Sequence, residues 1–151
     1  VYLSNSINAL QKAQLKDALE SLGFELLESD RSALIAQIKT IIIQQIHHNA
    51  KELKVNFSSY LAEKTNQDYS YLSRLFSTVE GITIERFITK QKTERIKEQL
   101  FYKEKTLSGI AFDMKYSSVA YLSTQFKKET GMTPSQYKKL NQTKRIAVDK
   151  L

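Results

Sequence analysis

Apolar residues recur every three or four positions along most of the chain, which is the spacing of amphipathic helices. The pattern predicts helices over about residues 8–22, 31–49, 58–65, 70–79, 83–100, 106–114 and 119–129. Thr83 and Thr106 are favourable N-capping residues, Gly81 and Gly131 are favourable at helix C-termini, and Pro134 suits the first turn of a last helix. The chain is therefore predicted to be mostly α-helical.

The N-terminal residues follow a different pattern. Val1–Leu3 and Phe24–Leu27 have the composition of short strands, and they flank the helix over residues 8–22, which Gly23 is expected to end. Two short strands are marginal alone, so this strand-helix-strand piece is predicted to belong to a larger domain, similar to part of a ferredoxin-like fold. Because the first residue is Val, we expect further sequence before it. We assign residues 1–30 to a partial N-terminal α/β domain and residues 31–151 to a helical domain.

The helical domain contains an internal repeat with a period of 50 residues. Tyr71-Leu72-Ser73, Phe76, Gly81, Thr83 and Phe87 recur as Tyr121-Leu122-Ser123, Phe126, Gly131, Thr133 and Tyr137. Each copy is predicted to be a helix, a short turn and a second helix, which is a helix-turn-helix unit. The units are placed at about residues 57–79 and 106–130, and the long helix over residues 83–100 joins them. Two copies of one unit imply two copies of one surface.

The charge of the chain is unevenly distributed. The net charge is +7, yet residues 1–50 hold 4 Lys and Arg against 5 Asp and Glu, whereas residues 51–151 hold 19 against 11. A basic segment suits a polyanion, because each neutralised phosphate releases condensed counterions. An anionic membrane surface or an acidic protein would satisfy the same requirement.

The sequence lacks the residues that several kinds of chemistry require. There is no cysteine, which excludes disulfides, thiolate nucleophiles and Cys-ligated metals, and no apolar run approaches the roughly 20 residues of a membrane span. His47 and His48 are adjacent, so a helix would point them about 100° apart and away from a shared metal. No catalytic triad or glycine-rich phosphate loop is present. We therefore predict a cytoplasmic protein that is not an enzyme and that holds no cofactor or metal.

The residues of the second copy resemble the signature of AraC/XylS-type transcription regulators. They are Ile110-Ala111, Tyr121-Leu122-Ser123, Phe126-Lys127-Lys128 and Gly131-Met132-Thr133-Pro134-Ser135-Gln136-Tyr137. The resemblance covers about residues 50–140 and includes Ala62 and Ala111 at the small-residue position of each first helix. It implies two homeodomain-like units whose recognition helices enter successive major grooves of an asymmetric duplex site. A linker of 18 residues, Thr83 to Leu100, spans roughly 27 Å, which is near the ~34 Å of one DNA turn once loops are added.

The resemblance also implies a set of DNA-binding residues. They are Tyr69, Ser70, Ser73 and Arg74 in the first unit and Val119, Ala120, Ser123, Thr124, Lys127 and Lys128 in the second. Arg74 is the preferred base-reading residue because its fork can donate two hydrogen bonds to guanine, and the alternative is a surface arginine that contacts phosphate or Glu. Val119 or Ala120 could contact a thymine methyl, while Lys127 and Lys128 suit phosphates or plain solvation. The aromatic residues Phe76, Phe87, Phe126 and Tyr137 are assigned to the core.

Three positions depart from the family pattern, and other partners compete with DNA. Lys115 replaces the usual glycine before the second turn, Thr124 replaces a common arginine, and Lys92 replaces an arginine of the linker helix. The main alternative is a basic all-α adaptor that binds an acidic protein, which would favour apolar anchors on the recognition helices. RNA is disfavoured because aromatic platforms on sheets and glycine-bearing clamp loops are missing. Double-stranded DNA is the preferred partner, with RNA polymerase and a second copy of the N-terminal part as further candidates.

Overall fold

The computed structural model describes residues 9–48, 53, 55–102 and 105–149, with the side chains of residues 24–26 and 145–149 outside that description. The α-helices of this part of the chain are α1 (Ala9–Ile43), α2 (Phe57–Thr65), α3 (Tyr69–Glu80), α4 (Ile84–Tyr102), α5 (Leu107–Asp113), α6 (Val119–Thr130) and α7 (Pro134–Asp149). Helix α1 continues directly into a π-helical segment, Gln44–His48. The described ranges contain no β-strand, and none of their helices has the length and apolar content that crossing a bilayer requires.

The strand prediction for Phe24–Leu27 is wrong, because α1 passes through these residues without interruption. The helix expected to begin at Arg31 is likewise a continuation of α1. A single glycine in a helix interior costs only about 1 kcal/mol relative to alanine, so Gly23 does not end a segment rich in Leu, Ala, Lys and Glu. A strand here would also leave its backbone groups unpaired, since the described residues offer no second strand. The other predicted strand, Val1–Leu3, lies outside the described residues.

The helices predicted over residues 58–65 and 70–79 are present as α2 and α3. Asn56 caps α2, since its side-chain oxygen accepts a hydrogen bond from the Ser59 backbone N–H at 2.9 Å. Asn66 opens the turn in the left-handed conformation, with φ of 55°. Gly81 ends α3 as predicted, with φ of 75°. These local signals fix where each helix of the first unit begins and ends.

The helices predicted over residues 106–114 and 119–129 are present as α5 and α6. The Thr106 hydroxyl caps α5 by accepting a hydrogen bond from the Gly109 backbone N–H at 3.1 Å. Lys115 adopts the left-handed conformation that the family pattern reserves for glycine, with φ of 63°. For a residue with a Cβ this conformation costs roughly 1 kcal/mol, so the second turn is a strained site. Gly131 ends α6 with φ of 81° and no such strain.

A single cluster of buried side chains runs through both units. It comprises Ile35, Ile38, Ile42, Ile46, Leu61, Leu72, Phe76, Ile84, Ile96, Leu100, Ile110, Ala111, Met114, Leu122 and Phe126. Phe76 meets Phe87 edge to face with ring centroids 5.5 Å apart, and Phe126 meets Tyr137 in the same way at 5.6 Å. The predicted core role of these four aromatics is confirmed.

Helix α4 lies between the two units and holds their relative position. It packs against α1 and α3 and also against α6 and α7. The π-helical end of α1 is bound to it by a hydrogen bond of 2.9 Å between His47 Nε2 and Gln91 Oε1. The two helix-turn-helix units are therefore joined through a helix that both of them contact.

Candidate nucleic-acid interface

Helices α3 and α6 each turn one face into the core and the opposite face outward. Leu72 and Phe76 of α3 are fully buried, and Leu122 and Phe126 occupy the same places on α6. Residues four apart lie on the same side of a helix, so each pair sets the rotation of its helix. The positions on the other side are consequently presented to solvent in both units.

The structure exposes two of the predicted residues of the first unit and partly buries the other two. Ser70 and Arg74 are exposed, while Tyr69 and Ser73 are half-buried. Arg74 Nε donates a hydrogen bond of 3.3 Å to the Ser70 carbonyl oxygen. Its terminal Nη groups have no hydrogen-bond partner among the described residues. They are available for the two-pronged donation that recognition of guanine requires.

Tyr69 is engaged within the protein. Its hydroxyl donates a hydrogen bond to the Glu85 carboxylate of α4. Burial raises the pKa of Tyr69, and the hydrogen bond with Glu85 adds to the rise. The side chain therefore stays neutral at physiological pH and ties the first turn of α3 to the linker helix.

The second unit presents its predicted residues in the same order. Ala120, Thr124, Lys127 and Lys128 are exposed, and Val119 and Ser123 are half-buried, with Val119 packed against the core. The Thr124 hydroxyl donates to the Ala120 carbonyl oxygen at 2.9 Å, which leaves its lone pairs free to accept. This surface is poorer in strong donors to base edges than that of α3, because Thr124 stands at the position equivalent to Arg74.

Two tyrosines on these surfaces are absent from the predicted set. Tyr71 is 40% exposed and Tyr121 is 50% exposed, and they occupy equivalent places in the two units. The signal was available in the sequence, since each tyrosine lies three residues before Arg74 or Thr124 and so shares their helix face. Both tyrosines are therefore further candidates for the surface to which the predicted residues belong.

Helices α3 and α6 carry one carboxylate each, and both carboxylates are paired with cations. Glu80 of α3 lies 2.7 Å from Lys39 Nζ of α1. Glu129 of α6 lies 3.6 Å from Arg86 Nη2 and 3.9 Å from Lys90 Nζ, both on α4. The negative charges on α3 and α6 are thus directed toward the rest of the domain, which favours the approach of a polyanion to their outer faces. In the described residues no three His, Cys, Asp or Glu side chains are grouped so as to hold a metal ion.

Known proteins resemble this chain in sequence and in fold. The family model described as a helix-turn-helix domain matches residues 61–140. The bifunctional transcriptional activator/DNA repair enzyme AdaA of Bacillus subtilis is 28% identical over 101 residues, which are 67% of this chain and 47% of AdaA. The chain thus spans about half the length of this relative.

Solved structures show the same architecture. The C-terminal domain of AraT, a response regulator from Geobacillus stearothermophilus, is 28% identical, with a TM-score of 0.60 over 71% of this chain and 84% of that one. The DNA-binding domain of AdpA, solved in complex with a target DNA, has a TM-score of 0.61 over 74% of this chain and 95% of that one. AdpA is only 16% identical, so this second likeness shows the fold alone.

Proposed function

Because this chain belongs to the AraC-type family of helix-turn-helix, DNA-binding transcription regulators, we propose that α3 and α6 enter successive major grooves of one asymmetric DNA site. The observation that carries the proposal is that α3 and α6 each expose the side opposite a buried Leu and Phe pair. Two units repeated in series along one chain suit a DNA site with two elements in the same orientation. The site therefore does not need to be a palindrome.

The dimensions of the linker support this mode of binding. Helix α4 has 19 residues, Ile84–Tyr102, and is therefore roughly 28 Å long. Successive major grooves on one face of a duplex are about 34 Å apart. The contacts of α4 with both units limit their relative movement.

The predicted residues divide into two roles in this proposal. Arg74 reads a guanine, and the neighbouring Tyr69, Ser70 and Ser73 complete the contacts of α3 with the groove. In the second unit, Val119, Ala120, Ser123 and Thr124 face bases, while Lys127 and Lys128 bind phosphates. The first unit supplies the stronger base readout, since it alone has an arginine at this position.

The remaining predictions about partners and location follow from this function. A DNA-binding regulator acts where the chromosome is, in the cytoplasm of a bacterial cell. Contact with RNA polymerase, dimerisation through the N-terminal part and the domain boundary at residue 30 stay predictions. The absence of enzymatic activity also stays a prediction, because AdaA is named as a repair enzyme as well as an activator. The protein adaptor is the weaker candidate, since the exposed positions of α3 and α6 are mainly hydroxyl-bearing and cationic.

Selection of bound duplexes from a random pool, followed by fluorescence anisotropy, tests the proposal. The selected sites should contain two different elements about one helical turn apart. Inserting about half a turn of DNA between the elements should reduce the affinity to that of a single element, because α6 would then face the wrong side of the duplex. A selected site with one element only, or an affinity insensitive to the insertion, would exclude binding through both helices.

A further inference from the structure

A cavity of about 650 Å³ is walled by residues of both helix-turn-helix units and of α4. Phe57 belongs to the first unit, Gln99 to α4, and Phe112 and Met114 to the second unit, while the π-helical end of α1 contributes Ile46. Pockets for small organic ligands commonly have volumes of about 300–1,000 Å³ and combine apolar walls with a few polar groups. The cavity has both the size and the mixed lining of such a pocket.

Part of the apolar wall is open to solvent. Phe112 is 79% exposed and Val55 is 46% exposed, whereas Ile46 and Met114 of the same wall are each only 8% exposed. Removing apolar surface from contact with water is favourable, and an aromatic ring offers a large area for it. A ligand that covers the Phe112 ring would therefore be stabilised by hydrophobic burial.

Three cations of the wall already have partners within the protein. Arg95 Nη1 lies 3.0 Å from a carboxylate oxygen of α4, and the Lys105 ammonium group is paired with Asp113. Lys92 Nζ lies over the Tyr116 ring, 5.2 Å from the centroid, which is the geometry of a cation–π contact. These contacts compensate the cations, so none of the three requires a negatively charged ligand.

The wall also holds a buried acceptor that lacks a donor. Gln99 is only 5% exposed, and its Oε1 is buried without a hydrogen-bond partner in the described part of the chain. Buried polar atoms are ordinarily hydrogen-bonded, because an unpaired one has lost its hydration without compensation. The terminal torsion of a glutamine side chain rotates broadly, so the oxygen of this wall residue can turn toward a donor inside the cavity.

We propose that this cavity binds a small aromatic molecule that donates an N–H or O–H hydrogen bond. The donor pairs with Gln99 Oε1, and the ring covers Phe112 and packs against Phe57. Two independent features indicate this class of ligand, namely the unpaired acceptor and the exposed aromatic wall. The assignment goes beyond DNA binding and does not depend on it.

Isothermal titration calorimetry of the whole chain with indole and benzothiophene tests the proposal. The two probes have nearly the same shape, and only indole carries an N–H group. We expect indole to saturate one site per chain. Benzothiophene should bind at least about tenfold more weakly, because it leaves Gln99 Oε1 unpaired.

A substitution of Gln99 locates the hydrogen bond. Gln99→Met keeps the length of the side chain and removes the acceptor, so the affinity for indole should fall to that for benzothiophene. The variant should not lose stability, because it also removes an unpaired buried oxygen. Gln37→Met is the matched control, since Gln37 is exposed on α1 and is not part of the cavity wall.

A substitution of Phe112 tests the ring contact and gives a second variant should Gln99→Met lose its helical circular dichroism. Because Phe112 is largely exposed, Phe112→Ala should leave the core intact. It should weaken indole binding by about fivefold or more through the loss of an aromatic contact. Tyr102→Ala is the control, since Tyr102 is 65% exposed and lies outside the wall.

Three results would overturn the proposal. They are no saturable binding of indole, equal affinities for indole and benzothiophene, and an indole affinity that neither Gln99→Met nor Phe112→Ala changes. Equal affinities would mean that water supplies the donor to the acceptor. DNA binding of the unaltered chain is measured separately by anisotropy. Indole binding without DNA binding would refute the proposed function and keep the cavity assignment, whereas DNA binding without indole binding would do the opposite.

Discussion

The ion pairs of Glu129 predict that one buried carboxylate sets the position of helix α6. Its side chain is only 7% exposed, and its carboxylate lies 3.6 Å from Arg86 Nη2 and 3.9 Å from Lys90 Nζ of α4. The substitution Glu129→Gln keeps the shape of the side chain and removes its charge. It therefore isolates the electrostatic contribution of the contact between α4 and α6.

The magnitude follows from the distances and the exposure of the partners. Opposite charges about 4 Å apart interact by about 4 kcal/mol at an effective dielectric constant near 20. Arg86 and Lys90 are 47% and 45% exposed, so solvent screening reduces each attraction to about 1 kcal/mol. Removing the charge also relieves the cost of burying it, which offsets part of the loss. The expected decrease in the free energy of unfolding is about 1 kcal/mol.

Urea denaturation and DNA anisotropy measure the two consequences. Glu94→Gln is the matched control, because it changes the net charge equally but removes only an exposed pair with Lys97 on α4 itself. Relative to this control, Glu129→Gln should lower the affinity for a two-element site by roughly fivefold, corresponding to about 1 kcal/mol, and leave the affinity for the first element alone unchanged. Identical unfolding free energies and identical affinity ratios for the two variants would refute the reasoning.

Three further predictions concern single residues. Arg74→Ala should weaken binding by ~1–3 kcal/mol and relax the preference at one base pair, and a uniform loss over matched and scrambled duplexes would refute its base contact. Lys127→Ala should weaken binding to all DNA sequences similarly and reduce the slope of log affinity against log salt concentration by about 1. A loss of affinity confined to one sequence would contradict a phosphate role. Lys115→Gly should raise the free energy of unfolding by about 1 kcal/mol in urea titrations, because φ of 63° strains a residue with a Cβ, and a decrease would argue against that strain.

Much of the helical domain could be predicted because its signals are local. Caps and terminators at Gly81, Thr106 and Gly131 act within a few residues of their own positions. The recurrence of the Leu and Phe pairs identified the buried faces of α3 and α6. Six of the ten predicted positions on these helices are exposed, whereas Tyr69, Ser73, Val119 and Ser123 are half-buried. The exposed Tyr71 and Tyr121 were left out of the predicted set.

The N-terminal part shows where local signals are insufficient. In α1, Leu15, Leu19 and Leu22 are all more than half exposed, so no packing in the described residues distinguishes helix from strand there. Gly23 was interpreted as a terminator, yet the helix continues beyond it. Without tertiary contacts, a single glycine is ambiguous, since its helix-weakening effect is only about 1 kcal/mol.

By itself, the amino-acid sequence determined the repeated units, the rotation of each recognition helix and the excess of positive charge, because these depend on residue type and spacing along one segment. Only the tertiary structure decided which distant groups meet. The contact of Tyr69 with Glu85 and the pairing of Glu129 with Arg86 each join separate helices. Such contacts are set by how the helices pack around α4, and periodicity within a helix carries no information about its neighbour's side chains.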